Sequence, residues 1–252
     1  MYNGRVIMKK ITVYDLPTRF FHWAFAFLFL SAFIIVKTVD DESRFFSYHM
    51  LAGLTIAFLL VLRTIWGFAG STYARFSSFR LRPVELLQYF VDAVISKTRN
   101  YLGHNPASSY AAVIMFACAG GLATSGILMA TGGESDFLEE LHELLANIFL
   151  ISVIVHIGGI VFHHLRHNDS LWSSMFDGKK NIKTNKPGIV STRPIMGILF
   201  VVLTLSWMGY LYNNYNSTTQ TLNLMGTELV LGEVEHESDF KHGRHDNDHD
   251  DD

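Results

Sequence analysis

Four histidines lie in or at the ends of long apolar stretches, where an ionisable side chain is costly and is read first as a functional group. His22 stands near the start of the run Phe20–Val36, His49 near the start of Phe45–Phe68, and His142 and His156 in or at Leu144–Leu165. The last two are 14 residues apart. That is about four helical turns and roughly 21 Å of rise, with both side chains on nearly one face. One helix thus offers an imidazole at each membrane surface. His49 matches His142 in depth, and His22 matches His156. Two separated imidazole pairs suit haem b, whose iron takes one axial histidine from each of two helices while its apolar macrocycle fills a bundle. Zinc would instead gather about four ligands around one ion. His163 also faces the His142 side and matches His22 on depth, so spacing leaves His156 and His163 both open as the inner partner. His164 and His167 are read as snorkelling into the interface. For any single histidine the plain alternative is an interhelical hydrogen bond or a cap.

The elements that must position these groups are membrane helices. Five apolar runs are long enough for an α-helix to cross about 30 Å of hydrocarbon: the three above, Tyr110–Ala130 and Ile195–Tyr212. They do not alternate in period two, which excludes a transmembrane barrel. With 49% hydrophobic and 17% charged residues the chain is too apolar for an ordinary soluble enzyme. No cleavable signal pattern precedes the first run, which is expected to remain in the protein. Sixteen of the twenty Lys and Arg residues fall in the N-terminal segment, at Arg63, in the 71–109 loop or in the 166–193 segment. All of these lie on one side of the five runs. The other side carries most of the carboxylates, including the Glu/Asp/His tail, which predicts a cytoplasmic N-terminus and an outer C-terminus. The one cysteine, Cys118, permits neither an internal disulfide nor a Cys-based cluster, and no C-x-x-C-H motif exists for a c-type haem.

Other residues have a functional and a structural reading. Arg63 is 14 residues after His49 and on the same face, near the basic side. It could pair with a haem propionate or anchor its helix at the interface. Gly120, Gly121, Gly126, Gly158 and Gly159 would admit a flat macrocycle or another helix at close range. The stretch Pro83–Ser96 repeats Val84, Leu87, Phe90 or Val91, and Val94 at helical spacing and should lie along the interface. His104 could line a quinone pocket or cap the third span ahead of Pro106 and Ser108.

Several stretches, taken together, resemble the bacterial cytochrome b561 family, which includes the cytochrome b subunits of nickel–iron hydrogenases. They are Asp15-Leu16-Pro17-Thr18-Arg19-Phe20-Phe21-His22-Trp23, Tyr48-His49, Arg63-Thr64-Ile65-Trp66-Gly67-Phe68, Tyr73-Ala74-Arg75-Phe76, Tyr101-Leu102-Gly103-His104-Asn105-Pro106, His142-Glu143 and Val155-His156. The likeness covers about 13–176. It implies four helices holding two b haems, with His22 and His156 on the cytoplasmic haem and His49 and His142 on the outer one, and it prefers His156 to His163. It also implies electron exchange between membrane quinones and a redox partner. The fifth span and the acidic tail depart from the simplest members.

The expected fold is an all-α membrane protein, a four-helix haem-binding transmembrane bundle with a fifth C-terminal transmembrane helix. Its parts are a cytoplasmic segment 1–19, a di-haem domain 20–176, a linker 177–194 without core pattern, a span 195–212, and a disordered periplasmic acidic tail 213–252. The expected function is electron transfer in the bacterial inner membrane between quinone and a periplasmic c-type cytochrome or hydrogenase, as a subunit rather than a self-contained enzyme. Membrane lipids are further partners and nucleic acid is not. The alternatives are a stand-alone quinone-linked oxidoreductase, and a metal-ion transporter or sensor using the membrane histidines with His236, His242, His245 and His249 of the tail.

Overall fold

The computed structural model describes residues 8–40, 42–95, 101–132, 135–167, 172–183 and 187–232. In chain order these form β1 (Met8–Thr12), α1 (Leu16–Thr38), α2 (Ser47–Ala69), a 3-10 turn (Phe76–Ser78), α3 (Pro83–Ile95), α4 (Pro106–Ala130), α5 (Asp136–His167), α6 (Ser174–Asp177), β2 (Lys179–Lys183), α7 (Pro194–Asn214), β3 (Tyr215–Asn216), β4 (Thr221–Leu224) and β5 (Thr227–Val230). Five helices, α1, α2, α4, α5 and α7, are long and apolar enough to cross a bilayer. They correspond to the five runs; α1, α4, α5 and α7 begin ahead of their runs while α2 begins at Ser47, two residues inside its own, and at α1 and α4 a side-chain cap carries the helical ladder into polar sequence. At α1 the cap is Asp15, whose Oδ1 accepts from Thr18 N at 3.0 Å ahead of Pro17. At α4 it is Asn105, whose Oδ1 accepts from Ser108 N at 2.7 Å ahead of Pro106. His104 therefore does not cap this helix.

Helix α2 packs on α1, α4 and α7, and α5 packs on α4. Leu60 of α2, Cys118 and Ala119 of α4, and Phe149 of α5 form one buried cluster, joined by Phe21, Phe25 and Phe29 of α1. Phe149 is 2% exposed and stands midway between His142 and His156 on α5. Its ring lies 4.6 Å from Phe29 and 5.8 Å from Phe25, so an aromatic layer separates the two histidine levels. Helix α7 is held by Trp207 stacked on Phe58 at 4.9 Å and by Phe200 against Trp66 at 5.7 Å. Gly197 lets α7 come close to α1 as well, since a Cβ there would meet Leu16 Cβ at 2.8 Å.

Asp15 is fully buried and uses both carboxylate oxygens. Besides the cap, its Oδ2 accepts from Trp66 Nε1 at 3.1 Å, tying the first turn of α1 to the end of α2. Asp15→Ala removes a cap and strands a buried indole N–H. The expected loss is about 2–4 kcal/mol, read as a lowered thermal midpoint, with Asp15→Asn milder because it keeps an acceptor.

The chain is mostly helical rather than all-α, because two small sheets are present. The linker 177–194, in which the sequence shows no core pattern, supplies β2, which pairs antiparallel with β1 from Met8↔Lys183 to Thr12↔Lys179. Lys180, 7% exposed, donates from Nζ to Gly103 O at 3.2 Å and lies over the Tyr14 ring at 5.1 Å. The expected disordered tail is also corrected at its start. Residues 215–230 form the antiparallel meander β3–β4–β5, because Leu222, Leu229 and the following Leu231 bury against Leu54, Ala130 and Leu211. The acidic run 233–252 with its four histidines lies outside the described residues, as do Lys97 and Arg99. Helix α3 matches the expected interfacial stretch, with Val84, Leu87, Phe90, Val91 and Ile95 exposed.

Candidate functional site

The pair expected on the outer side, with its hydrogen-bond partners, draws on four helices. His49, in the first turn of α2, stacks on Phe46 at 5.5 Å and places Nδ1 3.1 Å from Ala32 O of α1. His142, near the start of α5, places Nδ1 2.9 Å from Ser125 Oγ of α4. A carbonyl only accepts, so His49 Nδ1 is the donor. Ser125 has one hydroxyl hydrogen, which its bonds to Gly121 O at 2.9 Å and Leu122 O at 3.2 Å employ, so its oxygen accepts from His142 Nδ1. Both rings thereby hold their proton on Nδ1, the tautomer in which Nε2 is the metal-binding nitrogen and the Nδ1 partner fixes ring orientation. The ring centroids are 6.3 Å apart with planes at 68°. Two metal–imidazole bonds of about 2 Å, plus about 1 Å from each nitrogen to its ring centre, require a separation of about 6 Å. The centroid separation is therefore of the size that one metal held by both imidazoles would need. Gly126 stands against this ring, where a Cβ would sit 3.6 Å from His142 Cε1.

The inner pair lies two helical turns beyond the Phe149 layer. His22 of α1 and His156 of α5 are within electrostatic reach of each other. His22 Nδ1 is buried without a hydrogen-bond partner. Arg63 of α2 is 7% exposed and lies near Phe21, the residue before His22. Its Nη2 donates to Ala74 O at 3.0 Å, and the guanidinium lies 5.9 Å from the Phe21 ring and 5.1 Å from the Phe76 ring. Gly67 makes room for Phe76, whose ring a Cβ would strike. Arg63 Nη1 is buried and has no partner. A buried guanidinium with an unused donor suits an anionic group such as a propionate. Of the glycines, Gly121 serves helix contact, a Cβ there meeting Leu145 Cδ1 at 2.6 Å, while Gly120, Gly158 and Gly159 border open space.

His104 is not one of the paired histidines. Its ring meets Phe79 edge-on at 4.8 Å and its Nδ1 is buried without a partner. Burial, with the positive charges of Lys180 and Arg63, pushes its pKa down to about 4. The folded protein thus keeps His104 neutral while the unfolded chain takes a proton below about pH 6.5. Stability present above that pH is lost as pH falls toward 4, by about 3 kcal/mol. Thermal unfolding followed from about pH 7.5 to 4.5 should show this loss, and His104→Leu should flatten the profile over that window.

The sequence alone did not reveal Ala32 and Ser125 as partners of the imidazoles, nor the Asp15–Trp66 bond. A serine beside Gly126 inside an apolar run is the one signal that pointed toward Ser125. Among the described residues no group of three or more His, Cys, Asp or Glu side chains could hold a metal ion.

Long apolar helices that present histidines at two levels define a membrane cytochrome of the b type. The family described as prokaryotic cytochrome b561 matches residues 13–178, and this chain belongs to it. The chain is also similar to the probable Ni/Fe-hydrogenase B-type cytochrome subunit of Rhizobium leguminosarum bv. viciae, at 26% identity over 218 residues, covering 69% of this chain and 90% of that one. No solved structure matches it. It is accordingly a multi-pass membrane protein of electron transport, in a family whose prosthetic group is haem b.

Proposed function

We propose that this chain is a di-haem cytochrome of the bacterial inner membrane that passes electrons between the quinone pool and a periplasmic redox partner. His49 and His142 would hold the haem of the outer site and His22 and His156 that of the inner one, and α1, α2, α4 and α5 would form the haem-binding bundle to which α7 is added. Bound haem b supplies a one-electron iron couple. The chain's own residues do the remainder. Ala32 O and Ser125 Oγ hold the outer imidazoles in the ligating tautomer, the Phe25–Phe29–Phe149 layer keeps water out between the levels, and Arg63 directs a buried donor toward a propionate. Arg75, Arg80 and Arg82, with the other bases of that side, face the cytoplasm and lipid phosphates.

The observation that carries this reading is the facing of His49 and His142 at 6.3 Å with each Nδ1 already engaged. A hydrogenase is the favoured partner because the Rhizobium relative is described as a hydrogenase cytochrome subunit, and a periplasmic c-type cytochrome is the other candidate. The acidic outer face would steer either through a basic patch. Purified protein should give a sharp reduced-minus-oxidised b-type spectrum and two haems per chain. Colourless protein after haem supplementation, or a single haem at saturation, would refute the proposal.

A further inference from the structure

Helix α7 and the β3–β4–β5 meander lie beyond residue 178, where the family match ends, yet they close the outer end of the bundle. Leu222, Leu229 and Leu231 are each at most 2% exposed and pack with Leu211 of α7, Leu54 of α2 and Ala130 of α4. Met50 and Leu51, the two residues after His49, pack against the same cluster. The meander is thus wrapped around the turn that carries His49.

That turn lacks an ordinary cap. The residue preceding α2, Phe46, makes no side-chain capping bond. Ser47, fully buried, instead donates from Oγ to Gln220 Oε1 at 3.3 Å. Gln220 is itself 5% exposed and held at φ 51°, a left-handed conformation that is unfavourable for a residue other than glycine. Its carbonyl accepts from Leu231 N at 2.9 Å, and a Cβ at Gly232 would collide with its Oε1. The first-turn N–H groups of Tyr48 and His49 donate to Phe45 O and Phe46 O, so what the strained, buried Gln220 amide adds is its hold on the Ser47 side chain, and such strain is retained only where the surrounding structure over-determines it.

We infer that the meander is a clamp and water seal for the outer imidazole site, and that Gln220 is a positioning residue acting through Ser47 on His49. The inference rests on the reading of His49 and His142 as haem ligands. It assigns a role to a segment outside the family's matched span: fixing the axial ring and drying the outer site, and so setting the potential of that site alone.

The test uses the full chain in lipid nanodiscs, with Gln220→Ala, Ser47→Ala, Ser47→Thr and a chain ending at Asn214. Potentiometric titration should show one midpoint displaced in Gln220→Ala, Ser47→Ala and the truncated chain, and the other unmoved. The displaced component should be the one missing from His142→Ala. Hydrogen exchange at residues 47–51 should rise at least tenfold in the same variants, while Ser47→Thr, which keeps the hydroxyl, stays near wild type. Unchanged midpoints and exchange in Gln220→Ala, or equal displacement of both midpoints, would overturn the inference. If wild-type protein binds no haem, the haem reading fails separately. Exchange at 47–51 in that haem-free protein then decides the clamp, with no rise in Gln220→Ala overturning it.

Discussion

His142→Ala should halve the haem content of the purified chain and leave the remaining haem spectrally intact, with His49→Ala giving the same result. The expectation follows from separation: the outer imidazoles face each other across α2 and α5, while Phe149, buried and two turns from each α5 histidine, stands between the levels. If these histidines hold the haems as proposed, loss of one removes one of two ligands from its own site and leaves the other pair in place. Ser125→Ala offers a graded version, because it removes only the group that accepts from His142 Nδ1. Loss of such an orienting partner typically costs 10–100-fold in metal affinity, so this variant should bind the outer haem more weakly rather than lose it. Haem per protein by the pyridine haemochrome assay, with titration of apo-protein by haemin, reads both effects. His22→Ala should remove the complementary half. Loss of both haems in His142→Ala with the helices intact would show that the sites are not independent.

The sequence carried the helices well, for a physical reason. A run such as Phe20–Val36 must be helical in a bilayer because no water is present to satisfy its backbone, so composition alone dictates conformation. The ends were less visible. Helix α5 begins at Asp136, eight residues before the apolar run, since Glu139, Glu140 and Glu143 can continue a helix into water. His142 consequently belongs to the polar overhang of its helix rather than to its apolar body. The depth match of His49 with His142 was legible because helical rise is fixed. The Nδ1 partners were not, because Ala32 and Ser125 each lie 17 residues from their histidine and on another helix. The meander escaped notice because its strands are two to four residues long. Its β4–β5 turn uses Met225 at φ 51° before Gly226 in place of an Asn-Gly pair. Its remaining signal, Leu222 and Leu224 followed by Leu229 and Leu231 at alternate positions, is short enough to pass as a weakly apolar tail.

Arg63→Leu should lower the reduction potential of the inner haem and leave the outer one unchanged. A guanidinium keeps its charge even when buried, and a positive charge near the iron favours the reduced form, so its removal favours the oxidised form. At a separation on the order of 10 Å and an effective dielectric of about 20, the interaction is about 1.7 kcal/mol. For a one-electron couple that corresponds to a fall of about 70 mV. If Arg63 also neutralises a propionate through the Nη1 that has no protein partner, the uncovered carboxylate shifts the potential in the same direction. Arg63→Lys separates charge from geometry. It keeps the cation but loses the planar fork that reaches Ala74 O and lies against Phe21 and Phe76, so most of the potential should return while thermal stability does not. An interfacial anchor would behave differently, since Leu and Lys would then alter stability and neither midpoint would move. Movement of the outer midpoint instead would put Arg63 with His49 rather than His22, contrary to its position over the Phe21 ring.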